Sequence, residues 1–184
     1  MRGNSFASVT GKAIPPASLG GSSALVLIEA HEFVAPATGY TFSGLDGDVD
    51  AVYLIEYRII KAVTAALNVD IRPNGATTAQ QTRGVYAGTS TGTFNPSTLR
   101  IVFNGSVTAD DVIAGQFWLA AATGAMRTGR ANWTDTDGTN LFLLDAAMLW
   151  NEGATNITSL EVLADTASGI EAGSYVRLYR LEKT

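Results

Sequence analysis

Between residues 52 and 60 the sequence reads VYLIEYRII. Tyr53, Ile55, Tyr57 and Ile59 fall on one side of an extended chain, while Glu56 and Arg58 fall on the other. Strand side chains alternate with a period of two, whereas a helix repeats every ~3.6 residues. This stretch can therefore bury an apolar face only as a strand. The alternation recurs. Leu67, Val69 and Ile71 alternate with Asn68, Asp70 and Arg72, and Leu99, Ile101 and Phe103 alternate with Arg100 and Asn104. Leu160, Val162 and Ala164 do the same against Ser159, Glu161 and Asp165. Residues 24–34 carry apolar side chains at both parities, the pattern of a strand covered on both faces. Segments 117–122 and 174–181 also read as strands. The run LFLLDAAMLW, residues 141–150, fits a buried helix or a buried strand, and the flanking turn signals Asp137-Gly138 and 151–153 favour the strand.

Turn chemistry separates these segments: Pro73-Asn74-Gly75, Asn104-Gly105 and the glycines of 169–173. About eight strands with such turns, 19 glycines and only 16% charged residues point to an all-β chain. The expected architecture is an antiparallel β-sandwich, jelly-roll-like, forming a single domain over residues 24–184. Residues 1–23 show no period of either kind. Gly3, Gly11, Gly20 and Gly21 loosen this stretch, Pro15-Pro16 extends it, and Phe6, Val9, Ile14 and Leu19 stand singly. An extended N-terminal arm that orders on a partner, with those four side chains in partner pockets, fits this spacing.

A net charge of −5 with 12 scattered Lys and Arg argues against a nucleic-acid partner. No run approaches the roughly 18 apolar residues of a membrane helix, and residues 1–21 lack the continuous apolar stretch of a secretory signal. Without Cys and with one His, thiolate and most zinc chemistry is excluded. Asp46, Asp48 and Asp50 are spaced like the first ligands of a calcium loop. An EF-hand beginning there would need Gly at its sixth position and Glu at its twelfth, where Ala51 and Tyr57 stand. A turn stabilised by Asx hydrogen bonds is the expectation, with no metal or other cofactor. Asp135-Thr136-Asp137-Gly138 is read as a turn in the same way.

His31 has no nucleophile motif to serve and is expected to be structural. Asp110-Asp111 or Glu29 and Glu32 are conceivable hydrolytic pairs, but nothing marks them out. The expectation is a protein that is not an enzyme. Binding residues are sought instead among the aromatics. Trp118 and Trp150 lie in apolar runs and are expected in the core. Trp133, in the polar segment Arg130-Ala-Asn-Trp-Thr-Asp135, is the tryptophan expected to be exposed and able to stack on a sugar. Tyr175, Arg177 and Tyr179 alternate along the last strand as a contact stripe or as cross-strand packing.

Two blocks carry a resemblance. The first is Ser43-Gly-Leu-Asp-Gly-Asp48 with Asp50, Tyr53-Leu-Ile-Glu-Tyr-Arg-Ile59 and Ile71-Arg-Pro-Asn-Gly75. The second is Asn156-Ile-Thr-Ser-Leu160, Gly169-Ile-Glu-Ala-Gly-Ser174 and Val176-Arg-Leu-Tyr-Arg180. In this order the chain resembles a family of small tailed-bacteriophage virion structural proteins, over most of residues 39–181. The resemblance implies a jelly-roll-like sandwich assembled in the host bacterial cytoplasm into a virion. It also implies contacts with the major capsid protein or other virion proteins, homo-oligomerisation and no catalytic residues. A capsid decoration (cement) protein is the leading expectation. The alternative is a tail, baseplate or receptor-binding module recognising host glycans, although glycan binding is not expected.

Overall fold

The computed structural model describes residues 24–88, 91–94, 96–105, 109–124, 126–136 and 140–182. The expected arm, with Phe6, Val9, Ile14 and Leu19, lies outside the described residues. Twelve strands are present among the described residues, rather than about eight. In chain order they are β1 (Ala24–Glu32), β2 (Gly39–Ser43), β3 (Val52–Ile60), β4 (Leu67–Pro73), β5 (Gln80–Ala87) and β6 (Thr91–Phe94). There follow β7 (Leu99–Asn104), β8 (Val112–Ala120), β9 (Arg127–Thr136), β10 (Leu141–Trp150), β11 (Ser159–Ala164) and β12 (Tyr175–Glu182). One helical turn, α1 (Gly47–Asp50), precedes β3.

The strands form two antiparallel sheets. The larger has the order β1-β12-β3-β8-β9-β10-β5-β6 and the smaller β2-β11-β4-β7. Their facing sides enclose one core. From the large sheet come Ile55, Tyr57, Ile59, Phe117, Val176 and Leu178; from the small sheet come Phe42, Val69, Ile71, Leu99, Ile101 and Leu160. The odd residues of β3 point inward as their alternation requires, and Ile55 is fully buried. Tyr57 crosses the core and donates its hydroxyl to the Ile101 carbonyl at 2.5 Å, so one buried phenol joins the two sheets. In β8 the inward series Ile113, Gly115, Phe117, Leu119 has a gap at Gly115. A Cβ there would lie 2.4 Å from the Asn132 carbonyl and 2.5 Å from Trp133 Cβ, so only glycine lets β9 come this close.

Four strands, β2, β5, β6 and β9, are absent from the sequence reading. β2 and β6 are short and bury one aromatic each, Phe42 and Phe94, whereas the inward positions of β5 and β9 hold mostly small or polar residues, Gln80, Thr82 and Gly84 in β5. In β9 the inward series is Arg127, Gly129, Ala131, Trp133, Asp135, which shows no apolar alternation. Trp133 is consequently buried, 3% exposed, with its ring set edge-on to Phe94. Its expected exposure is overturned. Trp118, expected in the core, has the opposite parity to Phe117 and sits half-buried on the outer face between Leu54 and Arg130. Trp150 is buried as expected. Strand β1 departs from its expected double cover: Leu25 and Leu27 are 44% and 50% exposed.

Candidate functional site

The Asp46–Asp50 stretch forms a cap rather than a ligand cage. Asp46 accepts the Val49 amide at 3.3 Å and so caps α1, a single helical turn where the sequence suggested a β-turn. Ala51 ends the turn at φ 61°. The three carboxylates then diverge. Asp46 also accepts Asn156 Nδ2 at 2.9 Å. Asp48 accepts the Thr123 amide at 2.7 Å, and that hydrogen bond holds its carboxyl below the usual range. Asp50 accepts the Tyr53 hydroxyl at 2.8 Å and Arg180 at 3.3 Å. No group of acidic or His side chains converges as a metal site among the described residues.

The two blocks that carry the resemblance interlock here. Asn156 Oδ1 accepts the Asp48 amide, and Asn74 binds the far side of the same loop, donating to the Asn156 carbonyl at 2.8 Å and accepting the Thr158 amide at 2.8 Å. β3 pairs with β12 and β11 pairs with both β2 and β4. Turn residues from distant parts of the chain thus fix one another.

At the β1 edge, His31 stacks on Tyr40 at 3.7 Å and meets Phe33 edge-on, while Tyr40 donates its hydroxyl to Glu29. Glu29 is thereby engaged with Tyr40, and Glu32 lies exposed on the opposite face. On the outer face, Tyr175, Arg177 and Tyr179 are brought together around Glu56. Tyr179 donates to it at 3.0 Å, Arg177 pairs with it at 3.5 Å, and the Arg177 guanidinium lies over the Tyr175 ring at 4.3 Å. They form a partly exposed cross-strand cluster, and Glu56 is its hub. Further along that face Leu141, Leu143 and Val85 are more than half exposed.

A second constellation lies inside the sandwich, and the sequence reading did not find it. Lys61 follows β3 directly and keeps the inward parity of Tyr57 and Ile59. Its backbone is clamped on Asp110 and Asp111: the Lys61 amide donates to the Asp111 carbonyl, and the Asp110 amide donates to the Lys61 carbonyl. Its side chain is fully buried, with Nζ 3.8 Å from Asp111 Oδ2 and 3.4 Å from Asn104 Oδ1. Asn104, 1% exposed, donates from Nδ2 to Asp135 Oδ1 at 2.7 Å. Asn104 and Asp135 lie in strands β7 and β9, while residues 106–108 and Asp137-Gly138 of the expected turns lie outside the described residues. Asn104 and Asp135 both point inward. Asn104 does so because Ile101 is an extra residue against β4: Val69 faces Val102 and Asp70 faces Arg100. That bulge reverses the parity of the β7 residues after it.

Burial pushes the Asp135 carboxyl up to about 7 and pulls the Lys61 ammonium below its ordinary range. The cluster thus unites an amine that burial disposes to neutrality, a carboxamide and an acid that keeps its proton near neutral pH. At the other end Arg127, 1% exposed, donates to the carbonyls of Ala121, Glu152 and Thr155 and lies over Trp150. The chain matches no protein-family model, no curated protein and no solved structure.

Proposed function

We propose that this chain is a non-enzymatic structural component of a bacteriophage virion. In this reading it is a capsid decoration (cement) protein with a jelly-roll-like sandwich, acting through contacts with the major capsid protein or other virion proteins. The observation that carries the reading is strand β1. It is nine residues long and hydrogen-bonds only to β12 among the described strands. Leu25, Leu27 and Ile28 are exposed along it. An edge of that length, with apolar side chains exposed along it, is a template for another chain. The interlocked turns support the reading too, because they assign the motif residues to holding a scaffold. The glycan-binding alternative loses its main residue with the burial of Trp133.

The test adds purified chain to particles that lack it. Wild type should bind. A chain starting at Ser22 and a Leu27→Lys chain should each melt within a few degrees of wild type and bind at least about tenfold more weakly. Failure of the wild type to bind, or equal binding by all three, would contradict the proposal.

A further inference from the structure

We propose that Lys61 and Asn104 join spontaneously in an intramolecular isopeptide bond between Lys61 Nζ and Asn104 Cγ, releasing ammonia, with Asp135 and Asp111 as the proton-handling residues. An amine and a carboxamide do not react in water at neutral pH for three reasons. The amine is protonated, the amide nitrogen is a poor leaving group, and the encounter is brief. The cluster addresses each obstacle.

Lys61 is fully buried, a setting that disfavours its charged form, and the Asp111 carboxylate 3.8 Å away can take its proton. Asp135 contacts the nitrogen that must leave, at 2.7 Å, and its raised pKa leaves it a proton to deliver there. Nζ already stands 3.4 Å from Asn104 Oδ1, and Cγ is one carbonyl bond, about 1.2 Å, from that oxygen. Turning the planar amide about its soft Cβ–Cγ torsion presents its face to Nζ. Both partners are fixed by backbone, Asn104 through its pairing with Leu67 and Lys61 through its clamp on Asp110 and Asp111. Such positioning raises the effective concentration of the amine at the carboxamide.

The Nζ lone pair forms the new N–C bond as the C=O π pair moves onto Oδ1. The oxyanion re-forms the carbonyl as the Cγ–Nδ2 bond breaks, and that nitrogen departs as ammonia with the Asp135 proton. The second proton on the attacking nitrogen passes to the Asp135 carboxylate, so both carboxyl groups return to their starting state once Asp111 releases its proton with the ammonia as ammonium. No oxidant or cofactor enters. The product is a secondary amide tying the end of β3 to the end of β7, and hence the large sheet to the small one, in a chain that has no cysteine. It is a single self-modification rather than turnover, and it holds whichever virion component the chain binds.

The intact mass of the purified full-length chain should be lower than its sequence mass by one ammonia. Tandem mass spectrometry of a digest should show the peptides containing Lys61 and Asn104 joined through those side chains. Asn104→Ala should restore the mass expected for its own sequence, and Asp135→Asn should accumulate unlinked chain. An unreduced mass in folded wild type overturns the proposal. So does loss of one water mapped to Lys61 and Asp111. Loss of ammonia without linked peptides overturns it as well, since a succinimide at Asn104-Gly105 would give that result. A fully linked Asp135→Asn chain would remove Asp135 from the reaction.

Discussion

Arg127 gives the sharpest stability prediction. Its guanidinium donates from Nε to the Ala121 carbonyl at 2.9 Å and from Nη1 to the Glu152 carbonyl at 2.8 Å and its carboxylate at 3.3 Å. Nη2 donates to the Thr155 carbonyl at 2.5 Å, and Cζ lies 4.8 Å from the centre of the Trp150 ring. One side chain therefore joins the segment after β8, the strand β9 and the loop between β10 and β11. Arg127→Met keeps the length of the stem and deletes every donor. Hydrogen bonds to a charged group contribute ~1.5–3 kcal/mol each, and removing one partner of a buried charged pair costs ~3–5 kcal/mol. Glu152 is about one-third exposed and can rehydrate, which keeps the total within that second range. For a chain of this length ~1 kcal/mol moves Tm by ~2–4 °C, so the variant should melt about 6–20 °C lower. Scanning calorimetry or thermal circular dichroism reads this directly. Arg127→Lys should recover only part of the loss, since an ammonium cannot reach three carbonyls in a fork. A Tm within about 2 °C of wild type in the Met variant would show that the buried guanidinium does not hold these segments together.

Ile55→Ala should cost ~2–5 kcal/mol in urea denaturation, and a smaller effect than that of Arg58→Ala would mean the β3 register is wrong. Asp135 releases its proton near 3.8 when unfolded and at about 7 when folded, so the fold binds that proton more tightly. Its contribution is therefore full below about pH 4 and lost as pH rises through about 7. Against an Asp135→Asn reference, wild-type stability should fall by up to about 4 kcal/mol across that window, and a pH-independent difference would contradict the buried acid. EDTA should shift Tm by less than about a degree, because Asp46, Asp48 and Asp50 bind three separate partners. A drop of several degrees reversed by calcium would overturn the cap.

Where apolar residues alternate, the fold was legible. β3, β4, β11 and β12 follow from parity alone, and the short run of β10 was decided by its flanking turns. Strand β9 was not legible, because its inward positions hold a charged guanidinium, a glycine, an alanine and a carboxyl beside Trp133. The chemical environment of that tryptophan in sequence is polar, and its environment in space is Phe94 and the opposite sheet. The buried cluster was half legible. Lys61 continues the odd parity of Tyr53 to Ile59, a signal present in the sequence. Asn104 faces inward only because of the bulge at Ile101, which no local pattern announces. Asp135 required β9 to be recognised first. Glu56, an apparent solvent residue, acquires Tyr175, Arg177 and Tyr179 only through the pairing of β3 with β12.

The role proposed for this chain is that of a structural part of a virion. Its most direct test is the position and copy number of the chain in purified particles of the genome that encodes it, from quantitative mass spectrometry combined with electron cryomicroscopy. Density for the sandwich is expected over the joints between capsomers, in copy number comparable with the major capsid protein. A few copies confined to one vertex would transfer it from the head to the tail. Absence from particles, with the chain left free in the lysate, would overturn the proposed role.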